Sequence, residues 1–456
     1  MLTPSQIAAL AIFVGVFISL ITGKVHRYIP ALIGAGLTLL VVFLGIERNP
    51  QSAVGALNLA ELGRSTFWIG HYQPTVPFGI NWQTILFIGG MMILVEGLRS
   101  VRFFRWLCLN IAQMVNYSII PIALLFMVLS GVLSMFLDNV TVILFMGAVT
   151  IELARLLKIN PIPLLIAEIV ASNAGGTATL IGDPPNIIIG TSLGLGFNAF
   201  LTNLGPIVWI GMAATLGYFY SRFRKEGLAV SSETSISTSH HPKPGEVITD
   251  RNLFGIQVAI LVLVVVLLVT HEQARLSVVS VSFIGAGATL VASRKGASSL
   301  IRGVDWRTLL FFLGLFIAAS GLEETGLLQV LANYIGRGSG DSVILATILI
   351  LWVSALISAI VDNIPFVTIM VPVIVYLAQT TAGTLSTYAW SLSLGACIGG
   401  NATPIGASAN VVGIAVAEKT GYRITWKTFL NYAVPPTLII LAICNVMLMV
   451  RYLGGF

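Results

Sequence analysis

The sequence predicts an all-α, polytopic membrane protein built from two inverted-topology repeats, with about ten transmembrane helices, two re-entrant hairpins and two broken helices. Three observations lead there. First, 56% of the 456 residues are hydrophobic and only 9% are charged, with a mean hydropathy of +0.95, against about 25% charged residues in a soluble domain. Second, the pair Asp138-Asn139 interrupts an uncharged stretch from Ser118 to Thr150, and Asp362-Asn363 interrupts another over residues 351–378. A carboxylate in the middle of such a span costs roughly 2.5 to 3.5 kcal/mol on insertion scales and marks a functional position. Third, the two pairs lie 224 residues apart (362 − 138), and the same shift aligns further blocks of the chain.

Charge and cysteine usage exclude other classes. The net charge is +6 and the pI about 9.3, but the basic residues fall in loops between apolar spans, where they set topology. Nucleic-acid binding is therefore not expected. Cys108, Cys397 and Cys444 are far apart, and His26, His71, His240, His241 and His271 lie in loops or at span ends. Neither a disulfide framework, a metal cluster nor a bound cofactor follows from that spacing.

Taken in order, residues 7–21 form a first span without a basic n-region or cleavage site, so it is expected to be retained. Lys24, His26 and Arg27 separate it from a second span over 28–46, and a long loop over 47–80 holds the aromatic, Pro-rich FWIGHYQPTVPFG. A third span, Asn81 to Leu98, leads into an amphipathic stretch punctuated by Arg99, Arg102 and Arg105, expected at the membrane interface. After the Asp138 segment, PIPLLIAEIVAS breaks into NAGGTATLIGDPPN, Asn173 to Asn186, and resumes with IIIGTSLGL. Glycines, prolines and backbone-competing side chains cannot continue a helix there. Irregular backbone at membrane depth survives only where it is buried in protein or lines a cavity, so the break points to a binding site. A span over 200–220 and a hydrophilic linker over 221–251 complete the first half.

The second half repeats the first. Shifted by 224, Asn81–Leu98 aligns with Asp305–Leu322, with 8 identities in 18 positions, and GGTATLIG aligns with GGNATPIG over Gly399–Gly406, with 6 of 8 identical. Asn186 falls on Asn410. The expected units are residues 1–221, a cytoplasmic linker over 222–251, and residues 252–456. Each half holds five crossings plus a segment that enters and leaves on one face, and an odd number of crossings inverts the second copy. Loops assigned to one face carry 19 of the 24 Lys and Arg; the other face keeps Arg48, Arg64, Arg275, Arg337 and Arg451. The positive-inside rule then places the linker in the cytoplasm and both termini outside, in the cell membrane.

The segments LDNVTVILF, ASNAGGTATLIGDPPNIIIG, VDNIPFVTIM and GGNATPIGASANVVGIAVAEKTGYRI together resemble the ion transporter superfamily, in the arm holding arsenite permeases, sodium/proton antiporters and the melanosomal P protein. The resemblance covers nearly the whole chain. It implies re-entrant hairpins whose tips, Asp138-Asn139 and Asp362-Asn363, meet the broken loops Asn173–Asn186 and Cys397–Asn410 at the substrate site. Dicarboxylate carriers of the superfamily have Ser-Asn-Thr at the tips, and Asp-Asn here argues against di- and tricarboxylates. Spans one to three and six to eight are implied to form a scaffold around a mobile unit. The same resemblance brings as partners a separate ATPase subunit, used by some arsenite permeases, and a homodimer, known for some relatives.

Chemistry of the site points the same way. Candidate substrate- or ion-binding residues are Asp138, Asn139, Asn173, Gly175, Gly176, Thr177, Thr179, Asn186, Asp362, Asn363, Gly399, Gly400, Asn401, Thr403 and Asn410. No Lys or Arg occurs in the intramembrane segments, so a dianion gains only the partial positive charge of half-helix N-termini. A cation, a proton or neutral As(OH)3, whose hydroxyls Asn and Thr can bond, fits better. The expected function is secondary export of arsenite or antimonite by proton antiport, with Asp138 and Asp362 carrying the proton. Sodium/proton antiport, transport of another small ion, and a passive channel are the alternatives. Each Asp could instead cap a half-helix. Glu168 is either a proton relay or an interhelical hydrogen-bond partner, Asp183 reads as an Asp-Pro-Pro turn, and the paired glycines could serve close packing. Intramembrane aspartyl proteolysis lacks its motif contexts, so no enzyme is expected. ATP dependence would need another subunit, because no phosphate-binding loop is present.

Overall fold

A computed structural model describes residues 2–22, 25–69, 77–226, 244–339, 342–381 and 383–453. Every regular element among them is helical. The aromatic loop is thus described only in part, and most of the linker lies outside the described residues.

In the first half α1 (Pro4–Thr22) is followed by α2 (Tyr28–Leu37), which runs on as a π-type helix to Ile46. The loop expected over 47–80 contains the short helices α3 (Pro50–Leu57) and α4 (Ser65–Trp68). Then α5 (Trp82–Ser100) starts where Asn81 accepts a hydrogen bond from the Thr84 amide, and it bends by 58° into the amphipathic α6 (Phe103–Met114). The first hairpin is α7 (Ile119–Ser134) and α8 (Asn139–Leu156). The broken span is α9 (Ile162–Thr177) and α10 (Pro184–Leu193). Last come α11 (Phe197–Asn203) and α12 (Gly205–Lys225), bent by 49°. The helix α12 therefore continues past residue 221, and the α9–α10 break is narrower than Asn173–Asn186, because Asn173 to Thr177 still belong to α9.

The second half contains α13 (Pro244–Val247), α14 (Arg251–Thr270), α15 (Val278–Ser293), α16 (Ala297–Gly303), α17 (Trp306–Glu324) and α18 (Leu327–Ser339). The second hairpin, α19 (Val343–Ile360) and α20 (Asn363–Thr380), precedes the broken pair α21 (Leu385–Gly399) and α22 (Ser408–Lys419), and α23 (Trp426–Leu448) closes the fold. Duplication is visible in the element limits. Adding 224 to both ends of α5 gives both ends of α17, and the same shift carries α8 onto α20. Among the described residues, eight helices can cross a membrane by length and composition, or up to ten with the two bent pairs.

Packing follows the duplication and divides the helices into two layers. The helix α5 packs on α15 as α17 packs on α2, while α7 packs on α9 as α19 packs on α21. The same relation pairs α8 with α22 and α20 with α10, so each hairpin leans on the other repeat's broken span. Exposed Ile7, Val14, Ile18, Val262 and Val266 on α1 and α14 leave an apolar outer surface, as hydrocarbon contact requires.

Candidate substrate-binding site

Each hairpin is fastened to its own broken span by two equivalent side chains. Thr179 Oγ1 donates to the Met135 carbonyl at 2.6 Å, and Thr403 Oγ1, its repeat equivalent, donates to the Ala359 carbonyl. Asn186 Nδ2 buckles the first break, donating to the Thr177 carbonyl at 3.0 Å and the Thr179 carbonyl at 2.8 Å. Asn410 Nδ2 buckles the second through the Gly400 carbonyl at 2.8 Å and the Thr403 carbonyl at 2.7 Å. Buried backbone carbonyls freed by a broken helix need such donors. Glycines let the strands of this junction touch. A Cβ on Gly175 would collide with the Gly131 backbone, on Gly176 with Gly182, and on Gly399 with Ala355.

The two repeats meet in a chain of asparagines. Asn139 Nδ2 donates to Asn173 Oδ1 at 2.9 Å, and Asn173 Nδ2 is within 2.7 Å of Asn401 Oδ1 and 2.8 Å of Asn410 Oδ1. All four are buried. Ser393 Oγ donates to Asn186 Oδ1 at 2.5 Å, and Thr177 Oγ1 returns to the Asn173 carbonyl at 2.9 Å.

In front of this junction lies a cavity with two adjoining lobes of about 460 and 540 Å3, which share Arg27, Asp305, Thr308, Ile364, Ser408 and Val411. Asp138, Asn139, Asp183 and Asn363 line the first lobe and Asp362 the second. The mouth is formed by Arg27 before α2, Arg99 in the last turn of α5, Gly303 ending α16 and Asp305 before α17. It therefore opens to the arginine-rich face. The walls hold the carboxylates of Glu96, Asp138, Asp183, Asp305 and Asp362 against Arg27, Arg99 and Arg307.

The repeat image of the first lobe is nearly collapsed. A void of about 30 Å3 is lined by Gly79, Asn81, Phe316, Ala319, Ser320, Glu323 and Thr368, among others. These are the 224-residue equivalents of Gly303, Asp305, Met92, Val95, Glu96, Arg99 and Leu144 in the open lobe. What closes it is a scaffold-to-hairpin-side contact. Asn81 Nδ2 donates to Thr191 Oγ1 at 2.9 Å and to Ser192 Oγ at 3.2 Å, and Thr84 and Thr191 share a hydroxyl bond at 2.9 Å. Thr84 is fully buried, whereas its equivalent Thr308 is half-buried in the open lobe.

Among the residues singled out from sequence, Asp138, Asn139, Asp362 and Asn363 reach the cavity wall. Asn173, Gly175, Gly176, Thr177, Thr179, Asn186, Gly399, Gly400, Asn401, Thr403 and Asn410 stand behind it, in the junction. Both tip aspartates also cap the following half-helix: Asp138 accepts from the Thr141 amide at 2.8 Å and Asp362 from the Ile364 amide at 3.2 Å. Glu168 is away from the cavity, buried between α8 and α9, with Oε1 accepting from Thr150 Oγ1 at 2.5 Å and Oε2 unpartnered. Asp183, read from sequence as a turn residue, makes no cap to α10. It is 2% exposed, faces the cavity and lies 3.5 Å from Asn363 Nδ2.

Arg27 was invisible as a site residue. It pairs with Asp362 Oδ2 and donates to Ser408 Oγ at 2.8 Å. The intramembrane segments do lack Lys and Arg, but a loop arginine reaches one of their carboxylates. No sequence spacing signals this, because the contact joins residues 335 positions apart.

Two duplicated features, hairpins meeting broken spans and an open cavity with a collapsed image, define a multi-pass membrane transporter. Comparison with known proteins agrees. The family profile CitMHS, described as citrate transporter, matches residues 17–395. The chain belongs to this family, within the ion transporter superfamily. An uncharacterized transporter of Mycobacterium tuberculosis is 38% identical over 379 residues, covering 82% of this chain and 87% of that protein. The P protein of Homo sapiens is 28% identical over 486 residues, covering 88% of this chain and 57% of the longer protein. The crystal structure of the Alcanivorax borkumensis YdaH transporter superposes with a TM-score of 0.60 at 15% identity, covering 95% of this chain and 99% of that one, and shares the fold.

Proposed function

We propose that this chain is a secondary active transporter of the cell membrane that exports arsenite or antimonite in exchange for protons, by alternating access at the junction of the two repeats. The observation that carries alternating access is the pair of equivalent cavities, one of about 460 Å3 and one of about 30 Å3. Inverted repeats that adopt unequal conformations can exchange them, which closes this face and opens the other. The arginine-rich face is taken as cytoplasmic on the positive-inside rule; on that reading the open cavity faces inward and both termini lie outside.

Solute choice rests on the charge of the wall. Arg27 is engaged by Asp362 and Arg99 by Glu96, which leaves three carboxylates, Asp138, Asp183 and Asp305, against the one remaining guanidinium, Arg307, to meet an incoming solute. Each anionic charge about 6 Å from one carboxylate, at an effective dielectric of about 20, costs about 3 kcal/mol. Neutral As(OH)3, a proton or a metal cation avoids that cost. A sodium/proton antiporter is the second reading, since the same carboxylates would hold the metal ion. Citrate, the solute in the family's description, meets this wall favourably only with its charge offset by a bound cation.

Inverted vesicles from a strain without its own exporters test these readings. Arsenite accumulation that follows an imposed proton gradient, collapses with it, and falls at least tenfold in Asp138→Asn and Asp362→Asn is the expected result. Sodium-dependent proton release without arsenite flux would move the chain to the cation antiporters. Citrate uptake that requires a divalent cation would do the same for the family's named solute, and unsaturable flux indifferent to the gradient would indicate a channel.

A further inference from the structure

The internal duplication provides both hairpin tips of the site twice, while other wall residues differ between the repeats: Asp183 falls on Ala407 and Ser408 on Pro184. Asp362 and Asp138 occupy equivalent hairpin tips, and Asp362 holds Arg27 while no ion pair to Asp138 forms among the described residues. Arg27 has no ion-pairing image, because Arg275 in the equivalent turn forms no ion pair among the described residues. Aligning the start of α2 with that of α15 (Tyr28 with Val278) places Ser277 at the equivalent position, where its hydroxyl caps α15 by accepting from the Ser280 amide. A single arginine thus breaks the pseudosymmetry at the carboxylate of only one hairpin.

Its contact also crosses from one layer of helices to the other. Arg27 lies at the turn between α1 and α2, in the layer formed by α1, α2, α5, α14, α15 and α17, whereas Asp362 and Ser408 begin α20 and α22, in the other layer. The bond therefore spans the boundary that must shear if the two cavities exchange. Other groups facing Asp362 do not replace the guanidinium. From α17 come Asp305, whose carboxylate accepts from the Arg307 and Thr308 amides, and Arg307, whose guanidinium lies 3.4 Å from His26 Nε2. From the first break comes Asp183, itself a carboxylate, beside Asn363. From α22 comes uncharged Ser408, which donates to Asp362 Oδ2 at 3.1 Å.

We propose that Arg27 is the resident counter-ion of Asp362, a coupling residue that expels the proton or cation arriving with the second hairpin and holds the empty carrier open to the arginine-rich face until a solute displaces it. The inference rests on the reading of Asp362 as the carboxylate that carries the coupling cation. An uncompensated carboxylate is costly to move within the membrane, so the empty hairpin stays with its arginine. A returning proton must compete with a fixed guanidinium, which suppresses leak without solute. Both side-chain partners of Asp362, Arg27 and Ser408, are then available to the solute that takes Asp362 away.

The test uses the full chain in membranes, with Thr308→Cys as a reporter. Thr308 is half-buried in the open lobe, and its equivalent Thr84 is fully buried in the closed one, while the three native cysteines are all buried. A membrane-impermeant thiol reagent is applied to inverted vesicles without solute or gradient. Adding Arg27→Gln is expected to slow labelling of the reporter at least threefold, and Arg27→Lys to stay within about twofold of the parent. Asp362→Asn should slow it as Arg27→Gln does, and the double substitution should add nothing. Proton leak without solute should rise in Arg27→Gln. Unchanged labelling in an Arg27→Gln protein that still elutes as a single species would overturn the proposal, as would additive effects of the two substitutions. Because labelling needs no transported solute, its outcome is independent of whether arsenite, sodium or another ion is carried.

Discussion

Asp138 does two jobs that single substitutions can separate. Its Oδ1 accepts from the Thr141 amide at the start of α8, and the residue lines the open cavity. Asparagine keeps the capping oxygen and removes the charge; alanine removes both. Loss of an Asp cap costs about 1 kcal/mol. Asp138→Asn should therefore melt in detergent close to the parent while losing gradient-driven flux, and Asp138→Ala should lose flux and also about 1 kcal/mol of stability. If asparagine destabilises as much as alanine, the charge itself holds the hairpin and its role in coupling must be reconsidered. The asparagines behind the wall are read differently. Asn186 and Asn410 spend their amide groups on carbonyls of the breaks, so their position beside glycines, visible in both halves of the sequence, reported how a broken helix is closed more directly than what it binds.

At the level of elements, the periodic and duplicated features were legible and the spatial ones were not. The constant shift of 224 residues predicts that α5 and α17, or α8 and α20, share their limits, because caps and breaks are local chemistry: Asn81 and Asp305 cap equivalent helices in equivalent ways. The break was read as wider than it is, since α9 keeps its helical backbone through Asn173 and both glycines to Thr177. Asp183 was read as a turn because Asp-Pro-Pro is one, and only the packing of α10 against α20 turns it toward Asn363. A turn gives a further prediction. Between α14 and α15, the His271 ring lies 3.1 Å by Nδ1 from the Leu276 carbonyl and accepts the Phe197 amide at Nε2 at 3.3 Å, which docks α11 on the scaffold. Burial lowers its pKa from the ordinary value. The unfolded ring binds a proton below about pH 6.5, the docked ring only at lower pH, so docking weakens as pH falls through about 6.5 and levels off below the docked ring's pKa. Hydrogen exchange at the Phe197 amide should lose protection, relative to its intrinsic rate, over that interval. The variant His271→Gln, which can accept but cannot titrate there, should show a flat profile; a parallel loss in both would remove the ring as the cause.

For the whole molecule the decisive relation is between the two cavities. The closed one is held by Asn81, Thr84, Thr191 and Ser192, and the open one has Asp305, Thr308, Ala415 and Val416 in the equivalent positions. The closed side thus has four polar side chains where the open side has two, Ala415 and Val416 being apolar. Each buried hydrogen bond contributes about 0.5 to 1.5 kcal/mol, so removing the set shifts a two-state equilibrium by roughly tenfold per 1.4 kcal/mol. Thr191→Val with Ser192→Ala removes the hydroxyls from α10 without touching the Asn81 cap of α5. In this background Ser320→Cys, whose position is 2% exposed in the collapsed void, should react with a reagent applied from the arginine-poor face several-fold faster than in the parent, while Thr308→Cys reacts more slowly from the other. Opposite movement of the two reporters is what an exchange of cavity shapes requires. If Ser320→Cys gains access while Thr308→Cys is unchanged, the void has merely loosened, and the collapsed cavity is not the second state of the carrier.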